Sequence, residues 1–268
     1  MKHTVQRLLG TPAAMSLVLL FFSICSSSCD KFKGDTGPAG PKLTGNLIGY
    51  VTLYDDYGRK LPDNSTVTIT VENSDKATTS DISGKWTITE LATGSYTLTF
   101  SKTGFGVYKR IGLGFTGGGD LFYGRSQFLM AIPAFTVSSL VATPTTSSVT
   151  ISGSISSAPS AGYVHYVRFF IGTSSSVSSN PTTFLFSYLS SGTSTTAIST
   201  SITSSTFNRA GISSGSTVYL IAYASANSTY FDDGTNFLDT GYSDPATGKT
   251  IYPNIGTIPS NTVSFLVP

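Results

Sequence analysis

Between Ser65 and Val71 the chain alternates strictly: Val67, Ile69 and Val71 point one way, Thr66, Thr68 and Thr70 the other. Only an extended strand puts every second side chain on one face. The same period returns at Tyr96, Leu98 and Phe100 against Thr97, Thr99 and Ser101, and at Val149, Ile151, Gly153 and Ile155 against Thr150, Ser152 and Ser154. No stretch sustains the 3.6-residue period of an amphipathic helix. Turn signals punctuate the runs, at Asp55-Asp56-Tyr57-Gly58 and at Asp81-Ile82-Ser83-Gly84. The pattern predicts an all-β protein of two β-sandwich domains in tandem. Hydrophobic residues, at 39%, supply cores, while charged residues reach only 11%, against about 25% in ordinary soluble domains. A net charge of +2 with no basic stripe leaves no footprint for nucleic acid.

The first 28 residues read as an export signal. Lys2 and Arg7 precede an apolar run from Met15 to Ile24, shorter than the roughly 20 residues of a membrane span. Both cysteines, Cys25 and Cys29, stand at or just past that run, and Ser26, Ser27 and Ser28 lead into Cys29. This junction resembles the lipoprotein signals of Bacteroidetes-type bacteria, although Ser26 replaces the usual leucine. The resemblance implies cleavage before Cys29, diacylation of Cys29 and residence at the outer membrane, on the cell surface or the periplasmic face. An ordinary signal peptide that leaves Cys29 as a free thiol, or an uncleaved anchor, are the alternatives. From 29 to 42 a spacer carries three collagen-type triplets, Gly34-Asp35-Thr36, Gly37-Pro38-Ala39 and Gly40-Pro41-Lys42. Three triplets are too few for a triple helix, so an extended tether is expected.

The first domain is expected at 43–133. Gly49-x-Val51, Asp56-x-Gly58, Thr79-Ser80-Asp81-x-x-Gly84-Lys85-Trp86, Leu91-x-x-Gly94-x-Tyr96-x-Leu98 and Lys102-Thr103-Gly104-Phe105 follow in order. Their spacing resembles the carboxypeptidase regulatory-like family, which implies a prealbumin-like Greek-key sandwich of about seven strands without catalytic function. Trp86 and Tyr96 read as core, and 107–132 is expected to add one or two strands.

The second domain is expected at 134–268. About half of Thr136–Thr217 is serine or threonine, and between Arg125 and Asp232 only Arg168 and Arg209 are charged apart from His165, which is taken as neutral. Strands are expected at Val149–Ile155, Tyr163–Ile171, Phe184–Leu189, Val218–Ala224 and Thr262–Val267. Val164-x-x-Val167-Arg168-Phe169-Phe170-Ile171, the corner Gly211–Ala224 and Asn261–Phe265 together resemble a fibronectin type III domain. In that comparison the corner tyrosine falls on Val218, and the connection at 225–260 is unusually long.

Few residues offer chemistry. Gly112-Leu113-Gly114-Phe115-Thr116-Gly117 has dinucleotide-loop spacing, but no helical pattern follows to receive a pyrophosphate, so a glycine-rich loop is expected. His165 reads as a partly exposed strand histidine. The long connection gathers Asp232, Asp233, Asn236, Asp239 and Asp244 with the aromatics Tyr230, Phe231, Phe237, Tyr242 and Tyr252. Asp232, Asp233, Asn236 and Asp239 supply oxygens of the kind calcium takes, without EF-hand spacing; turn-forming aspartates are the plainer reading. The aromatics either stack on sugar rings or bury themselves in a hairpin; self-burial is favoured because so long a loop must pack on something.

Together these readings predict a non-catalytic envelope lipoprotein with a binding or scaffolding role and no cofactor. Its partners would be the membrane, through its lipid, and a glycan or an envelope protein. A structural adhesin or assembly subunit is the alternative, and a cryptic glycoside hydrolase the rival from another class.

Overall fold

The structure, a computed structural model, describes Gly40 and residues 42–190, 192–226 and 241–268. The signal, Cys29 and most of the spacer lie outside the described residues, as do Tyr230, Phe231, Asp232, Asp233, Asn236, Phe237 and Asp239. Leu43–Pro268 forms one compact unit.

The chain is all-β. The first eight strands are β1 (Thr44–Tyr54), β2 (Thr68–Val71), β3 (Ala77–Thr79), β4 (Lys85–Ala92), β5 (Gly94–Ser101), β6 (Tyr108–Phe115), β7 (Asp120–Phe122) and β8 (Gln127–Met130). They form two sheets. One has the order β3-β2-β5-β6; in the other β1 pairs β4 antiparallel, and β7 and β8 parallel along its first and second halves. Val67, Ile69 and Phe100 from one sheet meet Leu47, Leu53 and Trp86 from the other in a single buried cluster. That is sandwich packing, with alternate residues of each strand inward. The segment after Val107 supplies three strands, more than the sequence pattern predicts.

Local chemistry fixes the turns. Asp81 Oδ1 accepts the backbone N–H groups of Ser83 and Lys85 at 2.9 and 3.0 Å. Gly84 closes that turn at φ 85°, where a Cβ would lie 1.9 Å from the Val51 carbonyl oxygen. Ser80 is buried: its hydroxyl donates to the Asn64 carbonyl (2.7 Å) and accepts from Val67 N–H (3.0 Å), pinning the entry to β2. The Gly112–Gly117 motif runs along the end of β6 into a glycine crossing that leads to β7, not to a helix. Its glycines answer to close backbone approach. A Cβ on Gly117 would lie 2.4 Å from the Leu43 carbonyl oxygen, and one on Gly45 would lie 2.1 Å from that of Gly119.

Among the described residues the remaining strands are β9 (Val137–Pro144), β10 (Ser148–Ile155), β11 (Tyr166–Gly172), β12 (Phe186–Leu189), β13 (Ala197–Thr203), β14 (Thr217–Ser225), β15 (Tyr242–Ser243), β16 (Thr250–Ile251) and β17 (Val263–Leu266), with one short helix, α1 (Ser204–Arg209). The sheets β13-β10-β9 and β12-β11-β14-β17 enclose a second core, from Val149, Ile151, Ile198 and Ile202 to Phe169, Leu220 and Phe265. Phe207 of α1 plugs one end of it, edge-on to Phe186 and Phe265.

The β11–β14 pair is buried on both faces. Val167 through Ile171 are all buried, as are Leu220 through Ala224. The outer face carries Phe170, Ile221 and Tyr223, roofed by Val177, Phe184, Tyr252 and Ile255. A strand buried on both sides reads as a continuous apolar run, as these do. The 241–260 segment is thus part of the roof over this sheet.

Candidate functional site

The functional residues named in the sequence cluster on the connection between β14 and β17, and the described parts of that connection form a frame. Ser225 bridges Ile255, and Ala226 N–H donates to the Asn254 carbonyl at 3.0 Å. Past the undescribed residues the chain returns at Gly241, so close to β16 that a Cβ there would lie 2.5 Å from the Ile251 carbonyl oxygen. A two-residue ladder follows, Tyr242 with Ile251 and Ser243 with Thr250. Asp244 organises the turn: its carboxylate accepts the Thr247 hydroxyl at 2.6 Å and Ala246 N–H at 3.3 Å. Those bonds, the Thr247 hydroxyl first, hold its pKa below the ordinary carboxylate value. Asp244 is therefore a turn residue here.

Tyr252 and Tyr242 both pack against the body of the protein. Arg168, only 3% exposed, lies with its guanidinium carbon 3.8 Å from the Tyr252 ring centroid. Phe170 meets the same ring edge-on at 5.8 Å, and the Ser187 hydroxyl donates to the Tyr252 hydroxyl at 2.7 Å. Tyr242 stands edge-on to Tyr108 of the first sandwich, centroids 5.7 Å apart. Burial is the leading cause that raises the pKa of both Tyr242 and Tyr108. Lys249 crosses the roof to the carbonyls of Pro181 (2.8 Å) and Phe184. Both tyrosines are half-buried, and Arg168 covers one face of Tyr252.

The frame also spans the two sandwiches. Asn254, 3% exposed, donates its side-chain N–H to Met130 Sδ at 3.7 Å. Met130 is buried with Tyr54 and Ala226, and Phe128 packs beside them. Gly106 comes so near Pro253 that a Cβ would lie 2.3 Å from its carbonyl oxygen. The crevice between Tyr108, Phe128, Met130 and Asn254 holds about 10 Å³, room for one water at most.

A second contact lies at the turn after β1. Tyr57 accepts Ser160 N–H on its hydroxyl at 3.1 Å, and Arg59 sits over Tyr163 at 5.0 Å while pairing with Asp55 at 2.5 Å. His165 lies between Tyr57 and Phe135, its ring 4.0 Å from the latter's centroid to centroid. At 6% exposure it is more buried than its strand pattern suggests, and burial lowers its pKa. An imidazole sandwiched between two rings is a packing element. Among the described residues no three His, Cys, Asp or Glu side chains gather as metal ligands would.

Sequence reasoning missed Arg168, Asn254 and Met130 as partners of the long connection. The available signal was Arg168 itself: a lone cation inside an apolar strand needs an aromatic or polar cover.

No family model matches the chain, and no curated protein matches it. Several solved structures do. A type II cohesin–X-dockerin complex of Acetivibrio cellulolyticus matches at 17% identity over 32% of this chain, with a TM-score of 0.28; the chain spans 58% of that structure's chain. A candidate carbohydrate binding protein of Bacteroides uniformis matches at 13% identity over 84% of this chain and 99% of that one, TM-score 0.31. A DUF3823 family protein of Parabacteroides merdae matches at 15% identity over 80% and 98%, TM-score 0.28. Likeness at this level decides neither ligand nor partner.

Proposed function

We propose that this chain is a non-catalytic envelope lipoprotein, anchored through diacylated Cys29, whose tandem sandwiches hold a recognition loop. The first sandwich would be of the carboxypeptidase regulatory-like kind and the second fibronectin type III-like. The observation that carries the reading is the frame at the two ends of 227–240. The chain leaves it at Ala226, bonded to Asn254, and returns at Gly241, packed on Ile251. Asn254, which holds the first end, touches Met130 of the first sandwich, and Tyr242, next to the second end, touches Tyr108. Recognition loops work from such fixed frames, because the scaffold holds the contact geometry before the ligand arrives.

The sequence between those ends supplies the chemistry. Tyr230, Phe231 and Phe237 offer faces for sugar rings, and Asp232, Asp233, Asn236 and Asp239 offer hydroxyl acceptors. The test is a glycan array read with the full chain and with a Tyr230→Ala, Phe237→Ala variant whose circular dichroism is unchanged. Loss of every wild-type signal in the variant supports the reading, and full retention contradicts it. Mass spectrometry of the mature protein tests the anchor: acyl mass on an N-terminal Cys29 is expected, and its absence removes the lipoprotein assignment.

Assembly with another chain is a second reading, favoured by the uncharged seven-residue edge strand β13 of the second sandwich.

A further inference from the structure

Every open sheet has edges, and an edge strand presents unpaired backbone N–H and C=O groups that invite a further strand. Proteins blunt such edges with charge, proline, bulges, short length or a covering group. Among the described residues four edge strands exceed four residues: β4, β6, β9 and β13. The first three are blunted. β4 carries Lys85 and Glu90, with Glu90 forced to φ 54°. β6 carries Lys109 and Arg110 and is kinked at Gly112, φ 70°. β9 turns at Ser139, φ 54°, and the Asn261 side chain bonds both the N–H and the C=O of Leu140 at 2.9 and 3.0 Å.

Past its first residue, β13 has none of these devices. Its seven residues, Ala197-Ile198-Ser199-Thr200-Ser201-Ile202-Thr203, contain no charge, proline, glycine or positive φ. Its register with β10 runs without a shift from Ser148–Thr203 to Ser154–Ala197. The flanking bonds Ile155 N–H to Thr196 and Ser204 N–H to Ser147 set the phase of the ladder. Thr196, Ile198, Thr200, Ile202 and Ser204 exchange bonds with β10, so the backbone groups of Ala197, Ser199, Ser201 and Thr203 face outward. The Ala197 groups are met locally by Thr193 and Thr195 hydroxyls. Ser199 and Ser201, both exposed, remain as the open centre of the edge.

We propose that this edge pairs with β13 of a second copy of the chain, antiparallel about a two-fold axis at Thr200. This proposal stands apart from the glycan reading and does not depend on it. Sequence symmetry about Thr200 carries the choice of partner. Ser199 falls opposite the partner's Ser201, Thr200 opposite Thr200, and Ile198 opposite Ile202, so outward backbone groups meet outward groups. An isologous contact brings each residue near its own kind, and a charge at its centre would meet its own sign. Here the centre is Ser-Thr-Ser, and the only charge within thirty residues on either side of Thr200 is Arg209, on α1 beyond the strand's end. Exposed hydroxyls of Ser199 and Ser201 would face each other across the pair, as favourable cross-strand partners do. A single strand pair buries little area, so the association belongs to the weak, transient class.

The test is sedimentation velocity on the full chain in detergent, with micelles in excess, over a concentration series, paired with amide hydrogen exchange. A reversible monomer–dimer equilibrium is expected, with the Ser199 and Ser201 amides gaining protection as concentration rises. Ser201→Lys places like charges at the axis and should weaken dimerisation by about tenfold or more. Ser199→Pro removes an outward donor without costing a bond to β10 and should do the same without charge. Ser95→Lys, exposed on β5 of the first sandwich, should leave the equilibrium unchanged. The proposal is overturned by a chain that stays monomeric throughout, or by dimers that survive both edge variants. It is equally overturned if Ser199 and Ser201 gain protection only when a different protein is added.

Discussion

The Tyr57 ring lies over the imidazole of His165, 5.4 Å between centroids and 17° from parallel. One belongs to the turn after the first strand of the first sandwich, the other to the residue just before β11 in the second. Phe135 closes the stack from the far side at 4.0 Å. Burial against these rings holds His165 neutral and depresses its pKa.

That depression gives the first prediction. In the unfolded chain the histidine titrates near 6.5, above its folded value. The unfolded state therefore binds the extra proton first, and stability is full above that pH and falls as pH drops through it. Thermal melts between pH 8 and pH 5 should show this loss in the wild type. His165→Phe, which keeps a ring in the stack and cannot titrate, should show a smaller loss over the same range. Asp56, raised by burial first, acts in the opposite sense, but it does so in both proteins, so the difference between the two curves reports His165. Parallel wild-type and variant curves would contradict the assignment.

Trp86 is 1% exposed, edge-on to Phe100 at 5.8 Å, and packed so tightly on Gly49 that a Cβ there would lie 2.4 Å from its ring. Trp86→Ala should cost about 3–5 kcal/mol of stability by denaturant titration. Gly49→Ala should also destabilise, by overpacking against the same ring. An unchanged midpoint in Trp86→Ala would show that the ring is not in the core.

Tyr252 covers Arg168 by its face and is held by Ser187 through its hydroxyl. The two roles separate by substitution. Tyr252→Phe removes one neutral hydrogen bond and should cost about 1 kcal/mol. Tyr252→Ala uncovers a buried guanidinium and part of the roof on Phe170, and should cost about 2–4 kcal/mol. Equal costs for the two variants would mean that the ring contributes nothing to the cover.

These results show where the sequence was legible. Alternation placed β2, β5 and β10 and the inward residues of each, because a half-buried strand writes its environment every second residue. The Asp81–Gly84 turn was equally readable, since only glycine fits its φ and its approach to Val51. Tyr96 was read as core and is only half-buried, its hydroxyl donating to the Ala92 carbonyl at 2.7 Å. β13 went unseen because its inward signal is only two isoleucines in a run otherwise rich in serine and threonine. β11 and β14 read as strong strands, but their continuous apolar runs also meant that both faces needed cover. The part of 225–260 that roofs the outer face follows from that demand. Which side chain would cap Arg168 or Met130 depends on contacts between distant segments, and no local pattern records those.

The two sandwiches form one frame that holds both ends of the 227–240 connection, joined by the Tyr57 stack and by Asn254 on Met130. Differential scanning calorimetry of the full chain tests this most directly, with the fluorescence of Trp86, the only tryptophan, reporting the first sandwich in parallel. The frame predicts one transition by heat capacity that coincides with the Trp86 signal. It also predicts two resolved transitions in a Tyr57→Ala, Met130→Ala variant. Two separated transitions in the wild type would contradict it.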